Sequence, residues 1–142
     1  MKNNEKRRPI QKRIATIVRF LPRFERISAD NFAWIICSPD GTEEGPLVGR
    51  LEYHLEIHKF MKACYENGLV LGFDWGAWSQ EALRYMNDPE LVRRASLTTC
   101  LKLLTAHFRA ERFCDGHLQG VLRSGHITTI LRRLKQFVPK VY

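Results

Sequence analysis

Apolar residues recur three and four positions apart along most of the chain, the spacing that places them on one face of an α-helix. A first helix of this kind should end near Pro22, because proline has no amide proton to donate and clashes with the preceding turn. The predicted inward positions are Ile10, Ile14, Ile17, Val18 and Leu21 in the first helix; Tyr53, Ile57, Phe60, Met61 and Cys64 in the second; Trp75, Trp78, Ala82 and Tyr85 in the third; Leu97, Leu101, Leu104 and Phe108 in the fourth; Phe113, His117, Leu118, Val121 and Leu122 after it; and Ile127, Ile130, Leu131 and Leu134 in the last, whose polar side carries Arg132, Arg133 and Lys135.

Capping residues mark where several of these helices begin and end. Gly68 follows the second apolar stretch, where a left-handed residue commonly closes a helix. Asp74 is predicted to cap the third helix through its carboxylate. Asp88 followed by Pro89 is a further helix start, because proline is favoured at the first helical position. Gly125 separates the last two helices.

One segment has the composition of a strand rather than a helix. Residues 32–37 are aromatic and β-branched, and the turn-rich sequence SPDGTEEGP follows them. This pattern predicts a small hairpin near residues 32–48, with Leu47 and Val48 on its return strand. The expected fold is therefore mainly α, a compact bundle of about five to six helices with this one hairpin. Residues 1–9 are expected to form a basic flexible tail, and residues 10–142 a single helical domain.

Size and composition favour a soluble, cytoplasmic protein. The chain has 142 residues, of which 44% are hydrophobic, enough for one core. Its apolar runs are far shorter than the ~18 residues of a membrane span, and the N-terminus lacks the apolar segment of a secretory signal, so no membrane partner is expected. The four cysteines, at positions 37, 64, 100 and 114, include no C-x-x-C pair and are expected to be reduced, partly buried thiols.

Charge is distributed unevenly along the chain. The net charge is +8, but residues 1–26 carry 9 basic and 2 acidic side chains, residues 27–90 carry 4 and 11, and residues 91–142 carry 10 and 2. The two ends are thus basic and the middle is acidic. Such asymmetry favours either packing of the ends against the middle or a basic face for a polyanion.

Several motifs occur together in an order that is familiar. They are FDWGAW with the EA that follows (Phe73 to Ala82), DPEL, LLTAHFRAERFCDGHL (Leu103 to Leu118) and SGHITTILRRL (Ser124 to Leu134), with a weaker FLPRFE and FAW near the N-terminus. As a set they resemble a bacterial domain family of unknown function over residues 17–137. The resemblance implies no established activity, cofactor or ligand.

The densest polar cluster surrounds the fourth helix's end. Two histidines, two arginines and acidic residues at this junction are the groups of an anion site or an acid–base pair. The alternative is structural, with ion pairs holding two helices together. The candidate ligand or anion residues are His107, Arg109, Arg112, Asp115 and His117, with Glu111 among them.

Metal and cofactor motifs are weak or absent. His54 and His58 are four positions apart, and Cys114 and His117 form a second half-site, but neither provides the four ligands of a structural zinc. No phosphate-binding glycine loop and no G-x-S-x-G element is present, so neither a metal nor a cofactor is expected, and no catalytic motif is recognisable. Trp75 is one of two tryptophans in a pattern more typical of a core face than of a stacking site.

The C-terminal helices have the order of a helix-turn-helix, with Gly125 in the turn. In that arrangement Thr128 and Thr129 lie near base edges, while Arg123, Arg132 and Arg133 contact phosphates. The basic residues of the first segment would add to this surface, namely Lys6, Arg7, Arg8, Lys12 and Arg13.

Three functions follow from these features. The leading hypothesis is a small cytoplasmic binding or regulatory protein whose basic ends engage nucleic acid. A second is a small enzyme or anion-ligand binder built on the cluster from His107 to His117. A third is a protein-interaction module or homodimer in which a basic end meets an acidic surface.

Overall fold

The computed structural model describes residues 6–37 and 49–140. It is mainly helical with one antiparallel hairpin, which confirms the predicted fold class. The elements are α1 (Ile10–Val18), α2 (Leu21–Arg26), a 3₁₀ helix (Ala29–Asn31), β1 (Ala33–Cys37), β2 (Gly49–Tyr53), α3 (Leu55–Glu66), α4 (Ser79–Asn87), α5 (Pro89–Arg93), α6 (Leu97–Glu111), α7 (His117–Arg123) and α8 (His126–Lys135).

The hairpin begins where the sequence predicted it, and its return strand includes residues 49–53. Strands β1 and β2 pair from Ala33 opposite Tyr53 to residue 37 opposite residue 49. The predicted return positions, residues 47 and 48, lie outside the described residues. Tyr53 therefore closes the hairpin, and placing it in the second helix was wrong. That helix, α3, begins after His54, whose Nδ1 accepts the amide of Glu56 at 3.0 Å.

Most of the predicted helix boundaries are confirmed. Pro22 lies in the first turn of α2, so α1 ends ahead of it. Gly68 follows α3 with a φ of +66°, a left-handed conformation that residues with a Cβ adopt only at a cost. Asp88 caps α5 through a 3.0 Å bond to the amide of Glu90, with proline at the first helical position.

The segment around Asp74 differs from the prediction. Asp74 accepts the amide of Ala77 at 3.1 Å and so closes a turn, whereas α4 begins only at Ser79. Trp75 consequently lies before the helix, and its ring stacks on that of Phe113 with centroids 5.7 Å apart. Phe113 is 80% exposed, so its predicted inward position was also wrong. Local spacing misplaced both rings, because neither residue belongs to the regular part of a helix.

Helix α8 occupies the centre of the bundle. It packs against α1, α2, α5, α6 and α7. Five of its ten residues are buried: His126, Ile127, Ile130, Leu131 and Leu134. Three phenylalanines fill the adjacent core, with Phe60 in edge contact with both Phe24 and Phe108. Arg132 and Lys135 are the exposed residues of α8.

The cysteines are free thiols at the three positions whose side chains are described. Cys64 and Cys100 are buried, and burial raises the pKa of both, to about 11 for Cys100. Cys114 is exposed, which corrects the expectation that it is partly buried. Across residues 6–37 and 49–140, no helix is both long and apolar enough to cross a membrane.

Candidate functional site

An open groove of about 880 Å³ runs between α1, the start of α2 and the end of α8. Its floor is apolar and its rim is basic. We call it the basic groove and define it by its four cationic residues: Arg19, Arg132, Lys135 and Lys140. The apolar floor consists of Ala15, Val18, Leu21, Pro22, Val138 and Pro139. Such a surface combines cations for an anionic partner with apolar area for its non-polar parts.

The packing of α1 on α8 explains how the groove forms. Ile14 and Ile17 of α1 are fully buried, as are Ile127, Ile130 and Leu134 of α8, and the two helices lie in contact. Hydrophobic burial therefore joins the two basic ends of the sequence side by side. Arg132 and Lys135 of α8 and Arg19, directly after α1, are exposed at this junction.

Little negative charge opposes this concentration of cations. The Glu25 carboxylate lies 3.4 Å from the Arg132 guanidinium, and both side chains are exposed. Within the described part of the chain, Arg19, Lys135 and Lys140 form no ion pair. An exposed pair such as Arg132–Glu25 contributes at most about 1 kcal/mol, so it leaves Arg132 able to exchange its partner for another anion.

Arg132 also borders a smaller pocket of about 180 Å³. Thr129 and Arg133 line this pocket beside it. Arg133 is anchored, because its Nε donates to the Ala95 carbonyl at 2.8 Å and its guanidinium lies 4.6 Å from the centroid of the Phe137 ring. Part of its role is therefore to hold α8 against the loop that precedes α6.

The remaining nucleic-acid candidates lie elsewhere. Thr128 and Thr129 both donate their hydroxyl protons to the Gly125 carbonyl, at 2.8 and 2.9 Å, within the first turn of α8. Arg123, at the end of α7, pairs with Asp30 at 3.1 Å. The structure thus gathers Thr129, Arg132 and Arg133 on one surface and separates Arg123 from them.

Sequence reasoning did not assign Arg19, Lys135 or Lys140 to a binding site. Lys135 was placed correctly on the polar side of the last helix. The contact between α1 and α8 could not be predicted from local sequence patterns, because it depends on the whole fold. One indication of a shared basic surface was present in the sequence, the contrast in charge between its two basic ends and its acidic middle segment.

Two of the predicted cluster residues meet inside the protein. His107 Nδ1 lies 3.0 Å from His117 Nε2, and the His126 ring stands perpendicular to that of His107 with centroids 4.9 Å apart. We call these three residues the histidine cluster. His126 was not predicted to take part, although its position directly after the turn glycine places it at the buried start of α8. The Nε2 atoms of His107 and His126 are buried without a hydrogen-bond partner.

Burial keeps these imidazoles neutral. It lowers the pKa of His107 well below 6.5, with a further contribution from His126 and His117. It also lowers the pKa of His126, to about 4, and that of His117. His107 and His126 are only 1% and 6% exposed, so a substrate has no access to their rings. In the described residues, no group of three or more His, Cys, Asp or Glu side chains is arranged to hold a metal ion.

Glu111 holds the helix junction beside this cluster. Its Oε1 accepts the Tyr53 hydroxyl at 2.6 Å and the Leu118 amide at 2.8 Å, and its Oε2 accepts the Gly116 amide at 3.2 Å. The Tyr53 oxygen in turn accepts the amide of Gln119 at 3.1 Å. Burial and the adjacent carboxylate raise the pKa of Tyr53. Glu111 therefore caps α7 and connects this helix to β2. Its role is the structural one of the two alternatives that the sequence left open.

The other cluster residues face a different surface. Arg109 and Arg112 line a shallow groove together with Trp75 and Phe113. Arg112 donates to the Tyr65 hydroxyl at 3.2 Å, and Asp115 is exposed. The five residues predicted as one site are thus divided: two histidines meet inside the protein, two arginines line an outer groove, and Asp115 belongs to neither set.

Comparison with known proteins identifies the family but no activity. The model of a family of unknown function, DUF6508, matches residues 9–140. The chain belongs to this family, since the match covers nearly its whole length. No curated protein and no solved structure matches the chain significantly.

Proposed function

We propose that this member of the DUF6508 family is a cytoplasmic nucleic-acid-binding protein, and that the basic groove is its binding surface. The observation that supports the proposal is the convergence of both basic ends of the chain on one groove. Clustering like charges on one surface disfavours the folded state through self-repulsion. A polyanionic partner relieves that repulsion and releases counterions when it binds.

The groove favours contact with phosphates over reading of bases. Its cations are two side chains of α8, Arg19 directly after α1, and Lys140 in the C-terminal segment, and all four are exposed. Positively charged side chains at such positions neutralise backbone phosphates without sequence selectivity. Thr129, in the adjacent pocket with Arg132, is the residue best placed to approach a base. Binding is therefore expected to depend strongly on salt and weakly on sequence.

The test compares two double variants by fluorescence anisotropy with a labelled duplex at low salt. Arg132→Ala with Lys135→Ala removes two cations from the basic groove. Lys59→Ala with Lys62→Ala removes two exposed cations from α3 and gives the same change in net charge. We expect the groove variant to bind at least about tenfold more weakly than wild type and the α3 variant to bind almost as well.

Two results would contradict the proposal. One is the absence of measurable duplex binding by the wild-type protein at low salt. The other is an equal loss of affinity in both double variants, because net charge rather than the groove would then account for binding. Circular dichroism of each variant establishes that its fold is retained.

A further inference from the structure

A second surface combines exposed aromatic rings with arginines. The end of α6 and the segment before α4 enclose a groove of about 330 Å³. We call it the aromatic–arginine groove and define it by Trp75, Phe113, Arg109 and Arg112. None of these residues lines the basic groove between α1 and α8. The volume falls at the lower end of the range of small-ligand sites, about 300–1,000 Å³.

The aromatic part of this groove is fixed in place yet open to solvent. The Trp75 and Phe113 rings stack at an interplanar angle of 30°. Asp74 holds the turn that presents Trp75 by accepting the amide of Ala77. Phe113 is 80% exposed, more than any other large hydrophobic residue in the described part of the chain. An exposed ring backed by a second ring is a platform on which a further flat ring can stack.

The charge beside this platform is positive. Arg109 forms no ion pair or side-chain hydrogen bond among the described residues, and the Tyr65 hydroxyl positions Arg112. The nearby carboxylate of Glu111 is directed to the amides of α7 and to Tyr53. Two guanidinium groups are thus available to an anion, and arginine binds phosphate oxygens in a bidentate geometry.

We infer that the aromatic–arginine groove binds a nucleoside phosphate. The base stacks on the Phe113–Trp75 pair, and the phosphate pairs with Arg109 and Arg112. The same chemistry is offered by a free nucleotide and by the terminal nucleotide of a single strand. The site is independent of the basic groove, which lacks aromatic residues.

Adenosine 5′-monophosphate is the first probe, titrated into the full chain at low salt by calorimetry and by tryptophan fluorescence. Phe113→Ala removes the outer ring and Arg112→Gln removes one cation, and both sites are exposed. Each change should weaken binding by about tenfold, the size of one lost stacking or charge-assisted contact. Leu83→Ala and Arg84→Gln, two exposed positions on α4, are the matched controls and should leave binding unchanged.

Partial ligands separate the two halves of the site. Adenosine and inorganic phosphate should each bind at least about tenfold more weakly than the nucleotide, since each retains only one set of contacts. A wild-type protein that shows no saturable binding of the nucleotide would overturn the inference. So would binding that Phe113→Ala and Arg112→Gln leave unchanged.

A short single strand, with and without a 5′-phosphate, distinguishes the two ligand sources. Tighter binding of the phosphorylated strand than of the mononucleotide, lost in Phe113→Ala, identifies a strand end as the ligand. Tighter binding of the mononucleotide identifies a free nucleotide. If strand binding is lost only in Arg132→Ala with Lys135→Ala and the mononucleotide does not bind, the basic groove alone binds nucleic acid and the inference fails.

Discussion

At the scale of single residues, Glu111 has a structural role at the junction of two helices. The sequence left open whether the polar cluster around it is structural or forms an anion or acid–base site. The sequence placed it among two arginines and an aspartate, and ion pairing was the expected structural interaction. In the structure its carboxylate instead accepts one hydroxyl and two backbone amides. Unsatisfied amides at the start of α7 attract a carboxylate more strongly than exposed guanidinium groups do. Periodicity indicates which residues share a face, but it does not indicate which of several partners a polar group selects.

Replacing Glu111 should therefore destabilise the fold. Glu111→Gln removes the charge and leaves one oxygen to serve three donors, so we expect the free energy of unfolding to fall by about 1–3 kcal/mol. Urea denaturation monitored by circular dichroism measures the change. Glu81→Gln, which removes the exposed pair with Arg84, is the control and should cost less than about 0.5 kcal/mol. Equal losses in the two variants would contradict the capping role.

The histidine cluster makes stability depend on pH. In the folded protein the pKa of His107, His117 and His126 is below the ordinary 6.5. As the pH falls, the unfolded chain therefore binds protons at these residues before the folded protein does. The contribution of these histidines to the free energy of unfolding should consequently be constant above about pH 7 and fall as the pH drops below about 6.5. Each histidine contributes up to about 1.4 kcal/mol per pH unit until the pH reaches its folded pKa, about 4 for His126.

The variant that tests this linkage is His107→Asn, whose side chain keeps a polar atom near the position of Nδ1. Denaturation curves between about pH 8 and about pH 5 give the slope of stability against pH. We expect a shallower slope for the variant than for wild type, whatever its stability at neutral pH. Identical slopes would show that His107 does not contribute to the acid sensitivity.

At the scale of elements, two glycines separated by only five positions should respond in opposite ways. Gly125 precedes α8 with a φ of +82°, and a Cβ there would meet no atom closer than 3.7 Å, so the cost of a side chain is conformational. Gly120 lies within α7, and a Cβ there has no neighbour within 4 Å. We expect Gly125→Ala to destabilise the fold by about 1–2 kcal/mol and Gly120→Ala to stabilise it by about 0.5–1 kcal/mol.

Thermal unfolding of the two alanine variants checks this prediction directly. Because both replace glycine by alanine, the added methyl group is the same and only the backbone conformation differs. If both variants are destabilised alike, α7 does not retain its helical geometry around Gly120. If Gly125→Ala is neutral, the turn into α8 does not need a left-handed residue.

The elements that sequence reasoning found are those with sustained periodicity. The inward faces of α1, α3, α6 and α8 were largely correct, because hydrophobic burial along a regular helix leaves a repeating pattern. The errors at Tyr53, Trp75 and Phe113 lie outside the regular helices: Tyr53 ends β2, and the other two residues are in turns. At such positions a tertiary contact decides the conformation, as the stacking of Trp75 on Phe113 shows.

At the scale of the whole molecule, the charge pattern of the sequence becomes a surface only through folding. The acidic middle segment does meet the basic ends, since Arg23 pairs with Glu56 and Arg123 with Asp30. Within residues 6–37 and 49–140, no cation of the basic groove pairs with an acid of the middle segment. Arg132 contacts Glu25, which belongs to the basic N-terminal segment. The two ion pairs fit the first alternative for the charge asymmetry, packing of the ends against the middle, and the basic groove is the surface proposed for a polyanion.

Removing the acid beside the groove should strengthen binding of a polyanion. Glu25→Gln frees Arg132 and eliminates one nearby negative charge, so we expect duplex affinity to rise by about two- to fivefold at low salt. Anisotropy titrations measure the change, and Glu81→Gln, which removes an exposed carboxylate paired with Arg84 on α4, is the control. No gain for Glu25→Gln over the control would place the binding surface away from Arg132.

The salt dependence of duplex binding, compared between wild type and the groove variant, tests whether the basic groove contacts the phosphate backbone. The slope of log affinity against log salt reports how many phosphates the protein neutralises, about 0.9 for each contact with a duplex. Arg132→Ala with Lys135→Ala should make the slope shallower by about 2, and Lys59→Ala with Lys62→Ala should leave it unchanged. An unchanged slope in the groove variant would contradict the claim that the basic groove contacts the phosphate backbone.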